Sequence, residues 1–229
     1  EQVLAKAAAA MKGADLLCLE DYNKGVLTPD VCAKLIHLAR AHKIPVIIDP
    51  ANLADYGKYR GATALKLNRP EAERATSIPL RDAAGHQAAA EMLLANFDLD
   101  AVVITLNDAG AYLATRDGER RLLASRPRQV ADTTGAGDQV LSTICVTRLA
   151  GATWAEAVAL ANVAGGLEVE KLGCVPITPG EIIQELLAEA HQQMGKERPL
   201  AQLLPELARH RAAGKKIVIT NGCFDIMTL

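Results

Sequence analysis

Short apolar runs alternate with longer amphipathic stretches over the first hundred residues. Residues 1–12 predict an Ala-rich helix ended by Gly13, and "ADLLCLED" (14–21) predicts a buried strand finishing in Glu20 and Asp21. "TPDVCAKLIHLARAHK" carries the marks of a helix: Thr28 as N-cap, Pro29 in the first turn and basic residues at the end. "IPVIIDP" is the next strand, stopped by Pro50. "ATALKLN" gives another strand, followed by a helix from Pro70, a helix near 82–96, and the strand "AVVITL". "GAYLATRDGERRLLAS" breaks this rhythm and predicts a β-hairpin turning at Asp117-Gly118. Beyond residue 134 the pattern is helical, over 136–150, 153–170 and 179–194. The polar "GKERP" then separates a last helix, "LAQLLPELARHRAAG", and a strand, "KKIVITNG".

Strands alternating with helices of this length predict βαβ units, hence an α/β fold with a mostly parallel sheet flanked by helices. In such sheets ligands sit at the carboxyl ends of the strands. That rule directs attention to Asp21, Asp49, Asn68 and Asn107, each at or just past a predicted strand end.

Composition narrows the picture. The 229 residues are 50% hydrophobic but only 3% aromatic, which favours helices on a buried parallel sheet over a β-sandwich. A net charge of −2 supplies no basic surplus, so nucleic acid is excluded as the main partner. The five cysteines form no CxxC pair and no zinc-ligand spacing, and are read as reduced thiols. The absence of a signal-peptide pattern and of a long apolar run predicts a cytoplasmic protein without a membrane partner.

The chemistry concentrates in "DTTGAGD", residues 132–138. Its glycines permit a turn in which successive N–H groups converge, and the following helix points its positive end at the same spot. Such a nest suits the charge developing on a transferring phosphoryl group. Asp138 at its edge is placed to accept a proton from an attacking hydroxyl. By itself GxGD reads more readily as a glycine turn, with Asp138 an ordinary acid in the first turn of a helix. It is neither a Walker loop nor a dinucleotide fingerprint.

All seven positions match the second signature of the ribokinase-like (PfkB) carbohydrate kinases, which the chain resembles. Asn68-Arg69-Pro70-Glu71 resembles the family's Asn-x-x-Glu motif, although that spacing also suits a helix-capping box. The resemblance implies that Asp138 is the catalytic base, assisted by the amides of Gly135, Ala136 and Gly137. It further implies that Asn68, Arg69, Pro70 and Glu71 help to place ATP and Mg²⁺, with Glu71 towards the metal. "ITLNDAGAYL" and "ALANVAGGLEVEKLG" are similar to the family's nucleotide-contacting segments, which makes Thr105, Gly110 and Asn162 candidate ATP contacts. Read without the resemblance, these three are a strand residue, a hairpin glycine and a polar helix residue.

"DYNKGVL", "DYGKYRGATALKLNRPEAE" and "VEKLGCVPITPGE" narrow the resemblance to the kinase part of bifunctional heptose 7-phosphate kinase/heptose 1-phosphate adenylyltransferases. "KKIVITNGCFDI" is similar to the opening strand of their nucleotidyltransferase domain. The resemblance implies ATP-dependent phosphorylation of heptose 7-phosphate at its anomeric hydroxyl in ADP-heptose synthesis, with Asp21 and Lys24 as sugar-phosphate contacts, and a homodimer. Other sugar or nucleoside kinases of the family, or a nucleotide-binding or dimerising module without turnover, remain alternatives. The expected domains are 1–194, the later two-thirds of a kinase lacking its N-terminal lid region; 195–200, a linker; and 201–229, the start of a nucleotidyltransferase. Two positions depart from the pattern: Thr228 stands where the transferase signature has His, and Ala51 where relatives often carry Lys.

Overall fold

The computed structural model describes residues 2–126, 128–193 and 199–219. The apolar runs become strands β1 (Leu17–Glu20), β2 (Val46–Asp49), β3 (Ala64–Asn68) and β4 (Ala101–Thr105). These pair in sequence order and are parallel throughout. The hairpin forms as expected: β5 (Ala111–Thr115) and β6 (Arg120–Leu123) add antiparallel to one edge, completing six strands. The sheet is therefore mixed, with its parallel part carrying the aligned carboxyl ends.

Helices α1 (Gln2–Met11), α2 (Pro29–Ala41), α3 (Arg69–Thr76) and α4 (Ala83–Phe97) precede the hairpin. Helices α5 (Ala136–Leu149), α6 (Trp154–Glu168), α7 (Pro179–Gln193) and α8 (Leu200–Ala212) follow it. Period-two alternation divides the strand side chains between two cores. Ile48, Leu65, Leu67, Val102 and Ile104 pack with α2 and α4, whereas Ile47, Ala64, Val103 and Leu113 pack with α5 and α6. Each fully buried aliphatic side chain contributes about 1.5–3 kcal/mol, so these two layers fix which strand residues can reach the site. Thr28 caps α2 through the Val31 amide, as its sequence predicts.

The chain forms two compact units, Glu1–Ile182 and Ile183–Leu229. This division falls within α7, ahead of the boundary expected at 194. The first turn of α7 is held to the first unit, where Glu181 accepts hydrogen bonds from Thr178 and from Lys171 at 2.6 Å. Residues 195–198 of the expected linker lie outside the described residues. In the second unit α8 forms as expected, with Pro205 inside it. The strand expected over 215–222 is absent from residues 215–219, and 220–222 lie outside the described residues.

At the end of β1 a buried polar knot fixes the following loop. Asp21 Oδ2 accepts from Lys58 Nζ at 2.5 Å and from the Tyr59 hydroxyl at 2.6 Å, and Oδ1 accepts from the Asn23 amide. Burial works to raise the Asp21 pKa, but these donors hold the carboxyl below its usual range. Removing one partner of a buried pair strands the other charge, at a cost of about 3–5 kcal/mol. Lys58→Met should therefore lower the urea midpoint strongly, and adding Asp21→Asn should recover much of the loss. Because the folded Asp21 pKa is depressed, the wild-type contribution should persist above the unfolded carboxylate range and fade as pH falls through the folded value.

Candidate active site

The parallel strands end on one edge, and the sequence places Glu20, Asp49, Asn68 and Thr105 there as the last residues of β1 to β4. Helices α2, α3, α4 and α6 begin on the side-chain caps Thr28, Asn68, Asp82 and Thr153. Helix α5 does not. Its N-cap is Gly135, at φ 93°, with no side-chain cap hydrogen bond. A Cβ there would lie 2.5 Å from Cys174 Sγ, so only glycine fits both the backbone and the space. The amino end of α5 thus keeps amide donors and the positive end of its dipole for a ligand.

Asp132, the first acid of the motif, anchors this turn. It accepts hydrogen bonds from the Thr134 amide at 2.9 Å and the Gly173 amide at 3.1 Å, which hold its carboxyl below the usual range. Beneath the turn, Lys66 Nζ donates to Asp49 Oδ2 at 2.6 Å, with only 5% and 13% of the side chains exposed. Burial raises the Asp49 pKa while Lys66 opposes it. A Cβ on Gly137 would sit 3.1 Å from Lys66 Nζ, so the ammonium lies directly against the turn. The site therefore presents a cation and a helix dipole at one point.

Asp138 stands in the first turn of α5, as predicted. The hydroxyl of Tyr22, in the loop after β1, contacts Asp138 at 3.1 Å and 3.0 Å and Glu20 Oε1 at 2.8 Å. Burial and the adjacent Asp138 carboxyl push Glu20 up to about 7. The hydrogen bond to Glu20 and burial raise the Tyr22 phenol well above its ordinary value.

Asn68 and Glu71 form the full capping box that their spacing allowed. The Glu71 amide donates to Asn68 Oδ1, while the Glu71 carboxylate accepts from the Asn68 amide and Nδ2. Arg69 and Pro70 occupy the first helical positions of α3 and do not line the cleft. Thr105 donates to the Leu67 carbonyl, and Asn162 Nδ2 donates to the Leu123 carbonyl at 2.8 Å. Gly110 is required by close approach, since a Cβ there would fall 2.1 Å from the Leu123 carbonyl oxygen.

These segments enclose a cleft of about 390 Å³ that brings together Asn68, Thr105, Gly110, Asn162, Ala136 and Gly137. Asp21 and Lys24 do not line it: Asp21 is committed to Lys58 and Tyr59, and Lys24 is exposed. Residues not singled out from the sequence also build the site, namely Lys66, Glu20, Tyr22 and Arg128. A lysine inside the apolar strand "ALKLN" was a usable signal, because its period-two position points it inward where charge is rare unless paired. Arg128 lines the cleft against Gly166 and pairs with Glu170 at 3.3 Å.

Among the described residues no group of three or more His, Cys, Asp or Glu could cage a metal. That donor set still fits Mg²⁺, which is commonly held by one or two carboxylates, water and substrate phosphates. Glu71 is such a carboxylate: burial raises its pKa and Asp49 repels it, so a divalent cation nearby would relieve both effects.

Comparisons with known proteins bear on the family and the fold. Residues 1–180 match the family model described as pfkB family carbohydrate kinase. The Bifunctional protein HldE of Geobacter metallireducens is 44% identical over 213 residues, covering 93% of this chain and 43% of the relative. That of Geotalea uraniireducens is 42% identical over 228 residues, covering 99% of this chain and 46% of the relative. The chain thus spans less than half the length of these curated relatives. Arabidopsis thaliana ribokinase complexed with ribose and ATP aligns with a TM-score of 0.70 at 20% identity, over 79% of this chain and 58% of that one. Escherichia coli phosphofructokinase-2 in complex with potassium aligns at 0.71 and 18% identity, over 82% and 62%. The ribokinase-like architecture of these structures carries the same fold, and the chain belongs to the pfkB family of carbohydrate kinases.

Proposed function

We propose that the site transfers the γ-phosphoryl group of ATP to a sugar phosphate, with Asp138 as the base. The observation that carries this reading is the amino end of α5, uncapped and set over Lys66, with Asp138 in its first turn. ATP is placed in the cleft, against Thr105, Gly110 and Asn162, with Asn68 and Glu71 towards its phosphates and Mg²⁺. Bound Mg²⁺ would offset charge on the phosphate oxygens.

As the sugar oxygen attacks the γ-phosphorus, its proton passes to the Asp138 carboxylate and the bond to ADP breaks. Negative charge grows on the phosphoryl oxygens. In this reading the amides of Gly135, Ala136 and Gly137 donate to them, Ala136 giving up its 3.4 Å contact with the Thr133 carbonyl, with the Lys66 ammonium behind. Donors of this kind act without reorganisation and count for more in a site shielded from water.

The proposed acceptor is heptose 7-phosphate at its anomeric hydroxyl, giving heptose 1,7-bisphosphate and ADP. This choice rests on the "DYNKG", "DYGKYRGATALKLNRPEAE" and "VEKLG" segments and on the identity to the HldE relatives. On the same ground residues 201–229 are proposed to open a nucleotidyltransferase segment, and the protein to act as a cytoplasmic homodimer. Asp21 belongs to the reading as the residue that fixes the loop after β1, and Lys24 as an exposed cation available to a sugar phosphate.

ADP release from Mg-ATP with a panel of sugars and sugar phosphates tests the assignment. Heptose 7-phosphate should be the preferred acceptor, and Asp138→Asn should lower turnover by about 10²–10⁴. Equal turnover in the variant would remove Asp138 as the base. Preference for a non-phosphorylated sugar or a nucleoside would reassign the substrate. Lys66→Met should reduce kcat by about 10²–10³, the usual loss for one preorganised donor, with circular dichroism confirming the fold. An unchanged kcat would make Lys66 a purely structural partner of Asp49.

A further inference from the structure

We propose that Glu20 is the proton-sharing partner of Asp138, and that Tyr22 holds the two carboxyls together so that the base becomes strong only once the pair has lost its shared proton. This proposal rests on the reading of Asp138 as the base.

The argument starts from a count of hydrogens. The Tyr22 hydroxyl has one proton but lies within hydrogen-bond distance of three carboxylate oxygens, one on Glu20 and two on Asp138. It can satisfy only one of them at a time. Two carboxylates drawn to one hydroxyl repel each other unless a cation or a proton intervenes. Lys66, the cation beneath the turn, is already committed to Asp49. The remaining neighbours do not help: Asp49 on β2 and the buried Glu168 on α6 add negative charge, and Cys18 and Tyr22 flank Glu20 along β1 and its loop.

A proton between the two carboxyls is the remaining way to relieve the repulsion, as in other closely set acid pairs. Burial and the Asp138 carboxyl raise Glu20 to about 7, in keeping with that geometry. Below this pH the pair carries one proton, and Asp138 could accept another only by forming a neutral pair, which makes it a weak base. Above it both groups are ionised, and the pair as a whole can take up the hydroxyl proton, as general-base catalysis requires. In the transfer step the hydroxyl proton would move to Asp138 as the new O–P bond forms and the bond to ADP breaks. The proton would then be shared with Glu20 and lost to water when the products leave.

Glu20 was not visible as a partner from the sequence because the two residues are 118 positions apart, at a strand end and a helix start. Neither belongs to the same local motif. Only the placement of α5 over β1 joins them.

The test is a carboxyl ¹³C NMR titration of the chain beside Glu20→Gln, Asp138→Asn and Tyr22→Phe, run in parallel with the pH profile of kcat/KM. The wild type should show a carboxyl transition near neutral pH. In Glu20→Gln and in Asp138→Asn the surviving carboxyl should titrate lower by about one pH unit or more. Tyr22→Phe removes a donor to the ionised pair and should move the neutral transition upward. The acidic limb of kcat/KM should fall to lower pH in Glu20→Gln. A neutral transition that stays in place in Asp138→Asn would overturn the pair, since burial alone would then explain it. An acidic limb unmoved in Glu20→Gln would overturn it as well. A coupled titration in a chain that releases no ADP with any acceptor would instead overturn the kinase reading and leave the pair standing.

Discussion

Lys66 and Asp49 meet at 2.6 Å on the face of the sheet covered by α5, and the site is organised around that buried pair. Two charges withdrawn from water are costly unless each satisfies the other, so strands β2 and β3 must hold their register at this point. Once they do, an ammonium lies fixed beneath the turn that starts α5. Gly137 allows the turn to settle against it, and Gly135 lets the chain enter the helix without a capping side chain. The amino end of α5 therefore has no side-chain cap, its Ala136 amide reaching only the Thr133 carbonyl at 3.4 Å, and it sits over a cation. Both features favour an anion there, and a transferring phosphoryl group is the anion proposed for it.

The negative groups are arranged around this positive point. Asp132 is tied down by backbone amides and serves as an anchor. Glu71 is folded back onto the cap of α3, where its carboxylate accepts from the Asn68 amide and Nδ2. Asp138 is left facing Glu20 and Tyr22. The acids thus differ in role because they differ in partners: one is held by amides, one by a helix cap, and one by a phenol shared with another acid.

Much of the fold was legible from periodicity. The four parallel strands, the hairpin at Asp117-Gly118 and the helix caps at Thr28 and Asn68 arise from local rules, and the structure forms them as those rules dictate. Gly135, Ala136, Gly137 and Asp138 were equally legible, because a nest and the helix that follows it are contiguous in sequence. The contributions of Glu20, Tyr22 and Lys66 were less so, since they depend on which strand end lies under which helix. Asp21 shows the converse. Its place at a strand end suggested a ligand contact, and the fold brings Lys58 and Tyr59, nearly forty residues on, to its carboxylate. The last strand expected, over 215–222, had the apolar pattern of a strand, yet residues 215–219 pair with no neighbour in a sheet. A strand pattern specifies a face, and it becomes a strand only beside a partner.

The central claim is that the amino end of α5 receives the phosphoryl group. Amide chemical shifts of Gly135, Ala136 and Gly137, followed by ¹⁵N NMR during titration with Mg-ATP and separately with AMP, test it most directly. The account predicts large shifts at these three amides with Mg-ATP and small ones with AMP, which has no γ-phosphoryl group to offer. Equal responses to the two nucleotides, or shifts confined to the far walls of the cleft at Thr105 and Asn162, would contradict it.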